Sequence, residues 1–366
     1  MKRLWLILGS LLAVTAISIA YANIGNSRIT PSPLPFIPPE GPVLLATNQN
    51  ERTVTMTEVR SGRFVVNIPV GDSPHEIAAS PDGRWAVATL PGSRRFFCFL
   101  SCQKGNKVAV IDVATATLRR AIDLGEDSSP HGIAFLSDNR TVVVTSRPRQ
   151  SVVLVDIEAG AVLGSISAGS NAQPRILAVS PDRQRVYSAN VEGGAVSEMD
   201  LATRTLRRTI AFPGEPIVVA VAPDGLTAWV IEDDKKHVYT LAVVDLTTGA
   251  IVSRFDGFGL PRRVGISPDG AVALVTDPGR NEIRVYDVPS RKELGRVSTG
   301  EETGPSGVSF APDSKLAYVA LSGRDTFFSH STETPDIAEI DLNTRTVVRR
   351  FKVTQTGLDG VVYVPR

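Results

Sequence analysis

The chain has 366 residues, 42% of them apolar, and is interrupted by 30 glycines and 25 prolines. That is enough apolar material for a large core and too many breaks for long helices, so many short strands are expected. Its 39 basic residues stand against 38 acidic ones, which argues against the broad positive field that duplex DNA or an anionic bilayer selects.

The N-terminus, "MKRLWLILGSLLAVTAISIAYAN", places two positive residues before an apolar run from Leu4 to Ala20 and ends in small residues at Ala20 and Ala22. This pattern predicts a secretory signal peptide over residues 1–22 and a periplasmic or secreted body. The alternative is an uncleaved N-terminal anchor, because the run is at the short limit for a bilayer span. Prolines at 31, 33, 35, 38, 39 and 42 follow. They fix φ and remove backbone donors, so residues 23–42 read as an extended linker.

From residue 43 onward a turn signal recurs: "SPDG" at 80, "LSDN" at 136, "SPDR" at 180, "APDG" at 222, "SPDG" at 267 and "APDS" at 311. Its aspartates lie 56, 44, 42, 45 and 44 residues apart, the period of a propeller blade built from four short strands. Within each unit one apolar strand enters the turn and a second leaves it, as in "EIAAS" and "RWAVATL". A third such as "KVAVIDV" ends in an acidic turn, and a fourth such as "LRRAIDL" completes the blade. The chain ends hold the parts of one more unit. "LDGVVYVPR" matches an inner strand, and "VLLATNQ", "TVTMTEV" and "RFVVNIPVG" supply the other three. The expectation is an all-β, seven-bladed β-propeller over residues 43–366, closed by one C-terminal strand pairing with three N-terminal strands, which leaves no open edge at the seam.

The pieces "GIAFLSDN", "RVYSAN", "LAYVAL", "VIDVATA" and "VVDLTTG" resemble the repeats of the YVTN-type seven-bladed β-propeller family over the whole body. The resemblance implies the fold. The family includes binding proteins and relatives of enzyme subunits, and the likeness carries no catalytic residue with it. The chain also has no nucleophile elbow, P-loop, H-E-x-x-H pair or dinucleotide fingerprint, so the sequence favours a non-enzymatic protein.

Several recurring residues have structural explanations. Asp82, Asp138, Asp182, Asp224, Asp269 and Asp313, one per blade, suit turns in which a short side chain bonds its own backbone. The same holds for Asp112, Asp156, Asp200, Asp245, Asp287 and Asp341 at the turns between third and fourth strands. Arginine pairs at 119–120, 207–208 and 349–350 fall on fourth strands, where charge discourages edge-to-edge association. Cys98 and Cys102, in the insertion "PGSRRFFCFLSCQKGN", are expected to form one disulfide in an exported protein.

Two of the four histidines fall at one repeat position, in "SPHEIAASPDG" (73–83) and "SPHGIAFLSDN" (129–139). Counting six residues back from each turn proline, or from Ser137 in its place, gives Asp359, His75, His131, Arg175, Ile217, Arg262 and Ser306 on successive blades. This rung lines one mouth of the channel, here called the top. Two insertions between second and third strands rise beside it, carrying Arg94, Arg95, Phe96 and Phe97 in one and Arg324, Phe327, Phe328 and His330 in the other. His237 lies in the equivalent connection of a further blade.

Three readings fit this face. The first is a binding module that holds a protein or a small anionic ligand with the arginines and phenylalanines. The second is a divalent-metal or redox-subunit site on His75, His131 and Asp359, with Glu76 or His330 as added ligands. The third is single-stranded nucleic acid stacked on the phenylalanine pairs.

Overall fold

The computed structural model describes residues 36–92, 105–323, 335–353 and 357–365. The expected signal peptide, most of the expected linker, both cysteines and the insertion residues Arg94, Arg95, Phe96, Phe97, Arg324, Phe327, Phe328 and His330 lie outside the described residues. From Pro38 onward the chain forms one unit.

Seven antiparallel sheets of four strands each stand in chain order around a ring. Blade 1 consists of Ile77–Ala79, Trp85–Leu90, Lys107–Asp112 and Thr117–Asp123. Blades 2 to 6 begin with inner strands Pro130–Phe135, Pro174–Val179, Glu215–Val221, Arg263–Ile266 and Pro305–Phe310. In blade 7 the inner strand is Leu358–Val364, paired with Val43–Asn48, which pairs in turn with Thr53–Glu58 and then Phe64–Pro69. The closure expected from the two chain ends is the one observed.

The burial of each strand follows its place in the blade. Second and third strands such as Thr141–Ser146 and Ser151–Asp156 are buried along their whole length, which is why they read as unbroken apolar runs. Fourth strands are mostly exposed apart from the residue before the end, as in Thr117–Asp123 and Lys292–Ser298. The core is correspondingly divided into seven clusters, one between each pair of neighbouring blades. Leu45, Met56 and Val364 of blade 7, for example, pack against Ala86, Ala88 and Ile111 of blade 1.

The turn aspartates behave as turn chemistry requires. Ser80 Oγ donates to Asp82 Oδ1 at 2.5 Å, and the same oxygen accepts the Arg84 N–H at 3.1 Å. Asp112 Oδ1 accepts the Thr115 N–H at 3.0 Å, and Asp341 repeats the pattern with Thr344. The arginine pairs do more than charge an edge. Arg208 bonds the buried Glu198 at 2.7 Å and also donates to the Leu246 carbonyl in the next blade. Arg349 bonds Glu339 at 2.8 Å and the Val59 carbonyl at 2.7 Å across the closing seam. These guanidiniums tie neighbouring blades together.

Candidate functional site

In five blades the ladder between the inner and second strands shifts register at or beside the rung, as between Pro130 and Ile133 and between Pro174 and Leu177. Such a bulge leaves backbone groups unpaired and re-aims the side chains it carries. In blades 7, 1, 2 and 5 a threonine at the fifth position of the second strand bonds the rung backbone. Thr145 Oγ1 accepts the Gly132 N–H of its own blade at 2.8 Å and donates to the Arg175 carbonyl of the next at 2.7 Å. Thr47 serves the His75 carbonyl, Thr89 that of His131 and Thr276 that of Ser306, at 2.8, 3.0 and 2.8 Å. In blades 3, 4 and 6 the position is Ala189, Ile231 and Ala320, and in blade 6 the rung hydroxyl of Ser306 reaches the Asp359 carbonyl at 3.1 Å instead. Four blades of the rung are thus held by threonine hydroxyls that the turn signals do not single out. Their signal in the sequence is Thr at one offset in "VLLATN", "WAVATL", "TVVVTS" and "VALVTD".

Close approach of the inner strands also fixes the residue after the rung. A Cβ on Gly360 would sit 2.8 Å from the His75 carbonyl, and one on Gly132 would sit 2.8 Å from that of Arg175. Glycine is needed where backbones meet this closely. Blades 1, 3, 4 and 5 carry Glu76, Ile176, Val218 and Arg263 at this position, and the Glu76 and Arg263 side chains meet across the channel in a buried ion pair.

Around that pair the rung side chains assemble. His75 Nδ1 lies 3.0 Å from Asp359 Oδ2 and 3.1 Å from Glu76 Oε1. His131 Nδ1 lies 4.0 Å from the same Glu76 oxygen, and the two imidazole centroids are 4.1 Å apart. Arg263 comes within 3.6 Å of Asp359 Oδ1 while donating to its own neighbour, the Arg262 carbonyl, at 2.9 Å. Gln49 donates to Asp359 Oδ2 at 2.9 Å and helps to hold the carboxylate in place. Below the cluster is a channel cavity of about 280 Å³, lined by Glu76 and Arg263 together with Ile133, Ile176, Val218 and Val264. A larger cleft of about 590 Å³ lies elsewhere, at the outer seam beside Arg185, Glu198, Arg208 and Leu246. It belongs to the inter-blade tie already described.

The two histidines sit in opposite electrostatic states. Burial pushes the His75 pKa down, but the Asp359 and Glu76 carboxylates outweigh it and leave the group above its ordinary value. Burial pushes His131 well below that value, and His75, Arg175, Arg263 and Arg147 add to the effect. Asp359 is held far below the usual carboxylate range because His75, Arg263 and Arg262 together overcome its burial. Arg175 is lowered to about 10 by burial and by Arg263, Arg262 and Arg147. Arg263 is raised, since Glu76 and Asp359 overcome its desolvation.

The sequence-derived rung therefore brings His75, His131 and Asp359 together, with Arg175 and Arg262 close enough to influence the group electrostatically. Arg263, rather than Arg262, makes the ion pair. It was missed because it is one residue past the rung, and its signal was a charge opposite to Glu76 at the same repeat offset. His237 is exposed, pairs with Asp233 at 3.1 Å and stacks on Tyr239; it makes no described contact with the cluster.

No protein-family model and no curated protein matches the chain. Among solved structures, a chain of Kuenenia stuttgartiensis hydrazine synthase is similar to it, with a TM-score of 0.60 and 21% identity over 74% of this chain and 77% of that one. The likeness is one of fold: this chain is a seven-bladed β-propeller.

Proposed function

We propose that the protein is a non-enzymatic binding module whose channel mouth holds a small anion. The observation that supports this most strongly is the Arg175 guanidinium. It is shifted down to about 10 by burial and by three other arginines, yet no carboxylate lies within ion-pair distance of it among the described residues. Arg263, Arg262 and Arg147 all act on Arg175, against the opposing pull of Asp359, while Glu76 and Asp359 are engaged with Arg263. Mutual repulsion of buried cations is relieved by an anion that accepts their N–H groups, and guanidinium forks suit carboxylate or phosphate-like oxygens.

The test is calorimetric titration of the full chain with sulfate, phosphate and a short dicarboxylate. The expected result is saturable binding that Arg175→Gln weakens at least about tenfold, corresponding to about 1.4 kcal/mol. Binding should also tighten between pH 8 and pH 6, as imidazolium adds positive charge. Affinity unchanged by Arg175→Gln for every anion that binds, or no saturable binding at all, overturns the reading.

A further inference from the structure

Beside the arginines, the same mouth gathers two imidazoles and a carboxylate. We propose that His75, His131 and Glu76 form a site for a divalent transition metal, with Asp359 and Arg263 beside it. The proposal stands on the geometry of these imidazoles and carboxylates and does not depend on anion binding.

One ligand atom from each of His75, Glu76 and His131 lies within 4.8 Å of the others. Two atoms bound to one metal at about 2.1 Å each cannot be more than about 4.2 Å apart. The separations from Glu76 Oε1 to His75 Nδ1, 3.1 Å, and to His131 Nδ1, 4.0 Å, already meet that limit. Only a small inward motion of the two rings is then required.

The second observation is His131 Nδ1. It is buried without any hydrogen-bond partner, 4.0 Å from the oxygen that His75 and Arg263 share. A buried polar atom left unpaired costs about 1–3 kcal/mol, so its persistence calls for a partner. A metal shared with Glu76 would satisfy it. A metal on His75 Nδ1 and Glu76 Oε1 takes the place of the hydrogen that Nδ1 now directs at the carboxylates, leaving Asp359, held by Gln49 at 2.9 Å, and Arg263 beside the ligands.

Two imidazoles and a carboxylate suit zinc, copper(II) or nickel(II) better than calcium or magnesium, which prefer oxygen alone. A ligating histidine must be neutral. A metal on His75 Nδ1 displaces any proton held there and adds positive charge beside Arg263 and Arg175. Metal affinity consequently rises with pH, the reverse of the anion dependence.

The test uses the untagged full chain, freed of metal by chelation and titrated with Cu(II) at pH 8 under electron paramagnetic resonance, with Zn(II) titrated in parallel by calorimetry. The expected result is one equivalent bound, nitrogen superhyperfine structure from two imidazoles, proton release, and at least about tenfold weaker Zn(II) binding at pH 6. His131→Gln should lose one nitrogen from the spectrum and at least about tenfold in affinity, while Arg175→Gln, which tests the anion reading, keeps the two-nitrogen spectrum. Absence of stoichiometric binding by the wild-type chain overturns the proposal without any variant. An identical spectrum and affinity in His131→Gln overturns it as well.

Discussion

Replacing Glu76 with glutamine tests how the channel mouth is held together. The substitution keeps the shape and removes the charge, leaving Arg263, whose side chain is 9% exposed, without its closest carboxylate. Breaking one side of a buried ion pair costs about 3–5 kcal/mol, because the remaining charge stays desolvated. Asp359 is still 3.6 Å from the guanidinium, so the loss should fall near the lower end. For a body of roughly 320 residues, unfolding entropy is about 0.7 kcal/mol/K, which converts this range to a drop of about 4–7 °C in Tm. Arg263→Gln should cost a similar amount. The double variant, with two amides facing each other, should lose clearly less than the sum of the singles. Differential scanning calorimetry on the four proteins gives the coupling directly. If the single losses add to within about 0.5 kcal/mol of the double, the two groups do not act as a pair and the charge arrangement proposed for the mouth is wrong.

Deleting the last nine residues should abolish the cooperative thermal transition. That strand buries Leu358, Val361 and Val364, worth about 5–9 kcal/mol together, and its loss uncovers the inner face of Val43–Asn48; a retained cooperative transition would refute the closure. The two histidines should affect acid stability with opposite signs. His75, raised by Asp359 and Glu76, contributes stability that is full below about pH 6.5 and fades as pH climbs through its folded value. His131, lowered by burial and the nearby cations, contributes stability present above about pH 6.5 and lost as pH falls. Between pH 8 and pH 5, above the range where Asp359 titrates, His131→Gln should therefore gain relative to wild type and His75→Gln should lose; shifts of the same sign in thermal melts would contradict the assignment. Mass spectrometry of unreduced exported protein should find Cys98 joined to Cys102, and two free thiols would exclude the bridge.

The fold was legible because the repeat is written in turn chemistry. Each "SPDG"-like signal carries a serine or aspartate whose bonds are local, so Asp82 and Asp182 declare their turns without reference to the rest of the ring. Closure was legible as well, since Leu358–Val364 and Val43–Asn48 each lack strands that the other supplies. The site was legible only in part. Counting along the repeat placed His75, His131 and Asp359 on one rung, because equal offsets become neighbouring positions once the blades close. It did not find Arg263, whose partner Glu76 is 187 residues away in sequence. It also passed over Thr89 and Thr145, because a threonine in an apolar strand reads as an ordinary strand former until its hydroxyl is seen bridging two blades. The fourth-strand arginines were legible as charged edges but not as inter-blade ties, since their acceptors are backbone carbonyls of the next repeat.

Anomalous diffraction from crystals soaked in bromide at pH 6 tests the anion-binding mouth most directly. The account predicts an ordered bromide at the top of the channel, within hydrogen-bonding reach of Arg175 or Arg262, that weakens when sulfate competes. Bromide peaks confined to the outer surface, with the mouth holding none at any concentration used, would contradict it.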